Sequence, residues 1–230
     1  MAKIFRFTHQ EISLMMMIMD METIKGFDQI IPLDVQDIAV QCKESLIRKK
    51  YLLEDQDKKI TVSEAMELDF EVMKTPYGFL VMDYEKTGGS HKRMVMYFRD
   101  DAIICVSKED EYEVLWIPFL PLAIGAISNW VGSFRNNISD LSESCDIQTA
   151  SKLWSEYCNH AADSEIWRFT GYENRKEDLR IDVIGTKTEQ ILFHYKEDKV
   201  IVSRPDQVQW MNTIIRWIAP IHGKAIKAGM

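Results

Sequence analysis

Few residues able to do chemistry in this chain stand where chemistry would need them. The four cysteines, Cys42, Cys105, Cys145 and Cys158, are scattered, with no Cys-x-x-Cys pair among them. Zinc sites usually set their ligands in closely spaced pairs, so Cys158-Asn159-His160, with Cys145 and Asp163 nearby, does not read as a ligand set. His9, His91, His160, His194 and His222 are isolated in sequence, and no serine or cysteine has a recognisable activating partner. Thr87-Gly88-Gly89-Ser90 lacks the glycine-lysine pair with which a P-loop cradles phosphate. Between strands, its glycines supply turn geometry instead. GxSxG, GxGxxG and HExxH are all absent. The chain therefore reads as a non-enzyme with no cofactor and no metal, short of an active site assembled only in the fold.

The elements that position these residues are organised around a duplication. Tyr84 to Asp110 and Tyr172 to Asp198 each open with Tyr-Glu, reach an arginine (Arg93, Arg180), run through two apolar strand-like stretches and end in Lys-Glu-Asp. The offset is 88 residues at both ends and 87 at the arginines. Strand candidates flank both copies, Phe79 to Asp83 and Ile166 to Thr170 before them, Val114 to Ile117 and Val200 to Ser203 after. Each unit then passes through a proline, Pro121 or Pro205, into a helical pattern ending at Trp130 or Trp217, and proline fits a first helical turn. The predicted fold is α+β: two pseudo-symmetric halves, residues 1–132 and 133–230, each an antiparallel β-meander with helices. The two pack as one unit, and the first carries an extra helical N-terminal segment.

That segment has its own signals. Thr8 and Glu11 form a capping box, and the helix behind it carries Leu14, Met15, Met16, Met17, Ile18, Met19 and Met21. So dense a methionine run is either a buried helix or an adaptable binding surface. A second helix starts at Asp34 and buries Val35, Ile38, Ala39, Cys42 and Leu46. A short hairpin over Tyr51 to Val62 and a third helix from Ser63 to Met73 follow. Gly132 to Ser144 reads as a loop, and Ile147 to His160 as a helix matching the third helix of the first half. On the last helix, Val208, Met211, Ile215 and Ile218 adjoin a second stripe of Trp210, Ile214 and Trp217. This wide face packs on the sheet or meets a partner.

A net charge of −8 and a pI near 5.2 argue against nucleic acid and anionic membrane as partners. Arg48-Lys49-Lys50 and the pair Lys224 and Lys227 are too short to offset that. No apolar run is long enough to span a bilayer, and charges stand where a signal peptide needs its apolar region. The expected location is the cytoplasm, where scattered cysteines stay reduced.

In layout the chain resembles the EspG-type cytosolic chaperones of type VII (ESX) secretion systems. The likeness rests on Thr8 to Glu11, on Pro32 to Lys50 with Tyr51-Leu52, on Ser63 to Met73, and on Pro76 before Phe79. The acidic turn Arg99-Asp100-Asp101 and the run from Val114 to Pro121 complete it. The resemblance implies a relative from a low-GC Gram-positive bacterium that binds a secreted helical substrate, WXG/LXG-like or PE/PPE-like, keeps it soluble and directs it to export. It also maps a partner-contacting loop onto Glu85 to Lys92. Lys86, Gly88, Gly89, His91 and Lys92 read there as a mobile, locally basic hairpin, with Trp116 and Phe119 as further contact candidates. A homodimer is allowed. The rival reading is a winged-helix transcriptional regulator, from the order helix, helix, hairpin, helix, or another protein-protein interaction module.

Overall fold

The computed structural model describes residues 4–27, 36–100, 102–108, 111–131, 142–160, 164–185, 190–204 and 207–222. Pro32, Asp34, Val35, Pro205, Lys224 and Lys227 lie outside them. Strand β1 (Ile4–Phe7) leads into α1 (His9–Ile18), then α2 (Gln36–Arg48), the hairpin β2 (Leu52–Glu54) and β3 (Ile60–Val62), and α3 (Glu64–Lys74). A meander follows: β4 (Gly78–Lys86), β5 (His91–Arg99), β6 (Ala102–Lys108) and β7 (Tyr112–Ile117), closed by α4 (Leu120–Val131). The second half runs β8 (Ser142–Asp146), α5 (Ile147–His160), β9 (Glu165–Glu173), β10 (Lys176–Gly185), β11 (Gln190–Lys196), β12 (Lys199–Ser203) and α6 (Gln207–His222).

Ten of the strands form one antiparallel sheet in the order β1-β7-β6-β5-β4-β9-β10-β11-β12-β8. The two meanders lie side by side and meet where β4 pairs with β9 over nine residues. Helices cover both faces. Phe79, Val81, Val95 and Tyr97 point toward α1, α2, α3 and the small hairpin. The alternating residues Leu80, Met82, Met94 and Met96 point toward α4 and α6. The register carries Val81 through Thr170, Arg180 and Tyr195 to Val200, so the cluster under α5 (Phe193, Val200, Leu153, Trp154) shares the first face.

Each half ends in an edge strand that is followed by a helix and pairs with the last strand of its own meander, β1 with β7 and β8 with β12. By that topology α5 is the counterpart of α1, not of α3 as the sequence suggested. The stretch from α2 to α3 is an insertion in the first half. Ser142 to Ser144, expected in a loop, belongs to β8, whose polar sequence forms a strand because β12 would otherwise be left open. Strand β1 is short, and its Phe5 and Phe7 are fully buried. Helix α6 continues past Trp217 to His222, with Pro220 inside it.

The methionine run divides. Met15 and Met16 are buried, whereas Met17 and Ile18 are exposed. The capping box forms as expected: the Glu11 amide donates to Thr8 Oγ1 at 3.2 Å, and the Thr8 amide donates to Glu11 Oε2 at 2.8 Å. Lys49 Nζ reaches the same Glu11 oxygen at 2.7 Å. Burial opposes ionisation of this carboxyl, but the bonds from Lys49, Thr8 and Ser45 outweigh it and hold the group below its ordinary value of 4.5. Its contribution to stability is therefore present above pH 4.5 and lost as pH falls through the lowered value. Lys49→Met strands a buried carboxylate and should destabilise the protein by about 2 kcal/mol at pH 7. Urea denaturation across pH should show the gap closing below pH 4.

On the other face, helix α6 presses against the backbone of β9. A Cβ on Gly171 would lie 2.6 Å from Trp217 Cζ2. Gly171→Ala should cost about 2 kcal/mol through overpacking, measurable as a drop in the urea midpoint at constant slope.

Candidate partner-binding site

The β4–β5 turn sits at one end of the sheet, where Lys86, Gly88, Gly89 and His91 are all exposed and Lys92 is half-buried. Gly88 adopts φ +69°, which favours glycine. Expected to be mobile, the turn is instead tied to the second half. The Thr87 amide donates to the Ser164 carbonyl at 3.0 Å, and the two hydroxyls lie 2.7 Å apart. The Gly89 amide closes the turn onto the Lys86 carbonyl at 2.9 Å.

Strand alternation sends the turn's side chains to two surfaces. On the face of the N-terminal helices, Arg93 grips Asp83 with two bonds (2.6 and 3.2 Å), His91 Nε2 lies 3.3 Å from the same carboxylate, and Arg168 reaches Glu85 at 3.3 Å. The register sets Arg93, Asp83, Arg168 and Asp182 in one row across four strands. Charges of alternating sign placed opposite each other across a sheet stabilise it. The row ends at Asp182, which is buried. Burial pushes the Asp182 carboxyl up, against the pull of Arg180 at 3.1 Å, and it pushes the Tyr195 hydroxyl up to about 12.

Lys92 points to the other face, into a groove of about 690 Å³ between the sheet and the second half of α4. Arg6, Ser107, Lys108, Glu111, Glu113 and Trp130 line it with Lys92. Of these, Lys92 is legible in the sequence as a contact candidate, and Trp130 only as the end of a helix. The signal for the rest lies in strand register, which puts Lys92, Ser107 and Glu113 on one face of neighbouring strands.

Trp116 and Phe119, 41% and 51% exposed, stand at the opposite end of the strands, where β7 turns into α4 with Leu122 also exposed. The structure does not bring them to the turn. The last helix buries Trp210, Met211, Ile214 and Ile218 against the sheet, so most of its wide apolar face is occupied there. The exposed surface of α3 carries Glu64 and Glu67, which repel phosphate, while Met66, Phe70 and Met73 are buried.

Among the described residues no group of three His, Cys, Asp or Glu side chains could hold a metal ion. Burial drives the Cys105 thiol up to about 12 and also raises Cys158, the opposite of what a reactive thiolate needs. Among the described residues, no helix is long and apolar enough to cross a membrane.

The architecture is one already seen in a secretion chaperone. No protein-family model and no curated protein matches this sequence. Among solved structures, the chain is similar to the Mycobacterium tuberculosis type VII secretion system chaperone EspG5, determined in complex with the PE25–PPE41 dimer. The match has a TM-score of 0.64 and covers 91% of this chain and 93% of that one, at 9% identity. Identity so low makes this a likeness of fold.

The hydroxyl clasp at Thr87 yields a direct test. Thr87→Val should speed amide exchange across Thr87 to Gly89 about fivefold, the size of one lost hydrogen bond, while global unfolding shifts little. Hydrogen-exchange mass spectrometry would measure both.

Proposed function

We propose that this protein is a cytoplasmic chaperone that binds a secreted helical substrate, WXG/LXG-like or PE/PPE-like, keeps it soluble and delivers it to a type VII secretion system of a low-GC Gram-positive bacterium. The observation that carries this reading is the likeness to EspG5 over nearly the whole of both chains. An acidic body with lysines at the β4–β5 turn and in the groove suits the task, because charge repulsion keeps the carrier dispersed while Lys86, Lys92 and Lys108 attract an acidic helix end. The first half is proposed to make the contact, through Lys86, Gly88, Gly89 and His91 at the turn and Lys92 in the groove. Trp116 and Phe119 form a separate apolar contact. A nine-residue strand is about 30 Å long, so a substrate touching both ends of the sheet needs a helix of about 20 residues.

Co-expression with helical substrates encoded beside this gene should give a stable co-purifying pair, and failure with all of them would sink the proposal. With such a pair in hand, the double variant Lys86→Glu, Lys92→Glu should weaken binding by about tenfold or more, chiefly through slower association. Trp116→Ala and Phe119→Ala should instead speed dissociation. Biolayer interferometry separates the two effects.

A further inference from the structure

Helix α4 holds no charged residue over its twelve positions, Leu120–Val131. Ala123, Ile127 and Val131, spaced by four on one side of the helix, are buried in the core beneath it. The outer side is apolar as well: Leu122 is 49% exposed, Gly125 is exposed, and Ile124 is half-buried. A helix apolar all round ordinarily lies inside a structure. Phe119, three residues before Leu122, extends the exposed apolar surface, and so does Ile4, opposite Leu115 on the neighbouring strand. Gly125 is not explained by packing within the chain. Glycine weakens a helix interior, and at Gly78 and Gly171 the missing side chain makes room for Ile221 and Trp217. Around the place of a Gly125 Cβ, no described atom lies within 4 Å.

We infer that the outer side of α4 binds a second copy of the chain, in a twofold antiparallel crossing of the two helices that seats Leu122 of each copy over Gly125 of the other. Knob and notch stand three residues apart on one exposed side, so a twofold axis between them matches each with its opposite. That is the self-complementarity an isologous contact requires. Glycine lets the two backbones come close. Charge selects the same surface: at a net −8 two copies repel each other, and α4 brings no carboxylate to the crossing. Any other partner must supply both a knob for Gly125 and a hollow for Leu122, whereas a second copy already carries them. A helix of twelve residues is about 18 Å long, so the contact is small and the dimer weak. The dimer needs no substrate and is independent of the proposed function. Where that function holds, the second copy covers Phe119 until a substrate takes its place.

Sedimentation equilibrium of the full chain, with no substrate present, tests the pairing. A reversible monomer–dimer equilibrium is expected, with the dimer dominant above about 100 µM. Gly125→Gln fills the notch and places a better helix former where there is open space. It should raise the urea midpoint of the monomer and yet weaken the dimer about tenfold or more. Leu122→Gln removes the knob from an exposed position and should weaken the dimer by a similar factor, with the midpoint little changed. A chain still monomeric at about 100 µM, or a dimer indifferent to either substitution, would overturn the inference. So would a lowered midpoint in Gly125→Gln, because the glycine would then serve the fold of the single chain.

Discussion

The nine-residue antiparallel pairing of β4 with β9 is where the two halves share one sheet, and the remaining architecture is arranged around it. Either meander alone would leave its first long strand as a flat apolar edge, the kind that recruits other chains. Pairing the two edges removes both liabilities at once. It also makes one apolar layer out of two, since Phe98 and Met96 from the first half and Phe169 and Ile181 from the second lie under the same helices. Glycine at Gly78 and Gly171 lets α6 come down onto this seam, with Ile221 over the first and Trp217 over the second.

The internal repeat disclosed this plan, but not its register. A twofold relation perpendicular to the sheet must keep a residue on its own face. Tyr84 packs toward α4 and α6, whereas Tyr172 packs on the opposite face, stacked on Phe79 at 4.7 Å. The matching Tyr-Glu pairs are therefore not structural counterparts. The arginines are different: at an offset of 87, an odd number, Arg93 and Arg180 do share a face. A shift in pairing between Glu177 and Leu179 accounts for part of the slip, because an extra residue in one strand reverses the alternation beyond it. Strand and helix patterns within the meanders were readable because apolar alternation there is strong. The two edge strands were not, because β1 is only four residues long and β8 is mostly polar, and each acquires strand structure only from the neighbour it pairs with.

The candidate site shows the same division. A turn with two glycines between strands is legible from residue type alone. Its anchoring to Ser164 is not, because that contact joins segments 77 residues apart. Lys92 was noticed for its charge, yet what makes its position distinctive is the groove that register and α4 build around it. Trp116 and Phe119 were read as separate candidates beside the first-half helix, and strand direction puts them at the far end of the sheet from the turn.

The seam also bears on how the chain comes into being. Hairpins within each meander join strands that follow one another directly, so each can close soon after it is made. Strand β4 must wait for β9, which leaves the ribosome only after α4 and α5 have been synthesised. During that interval the nascent protein exposes an unpaired apolar strand. The finished fold hides that strand in its seam, so the interval before β9 arrives is when the chain is most exposed to wrong pairings.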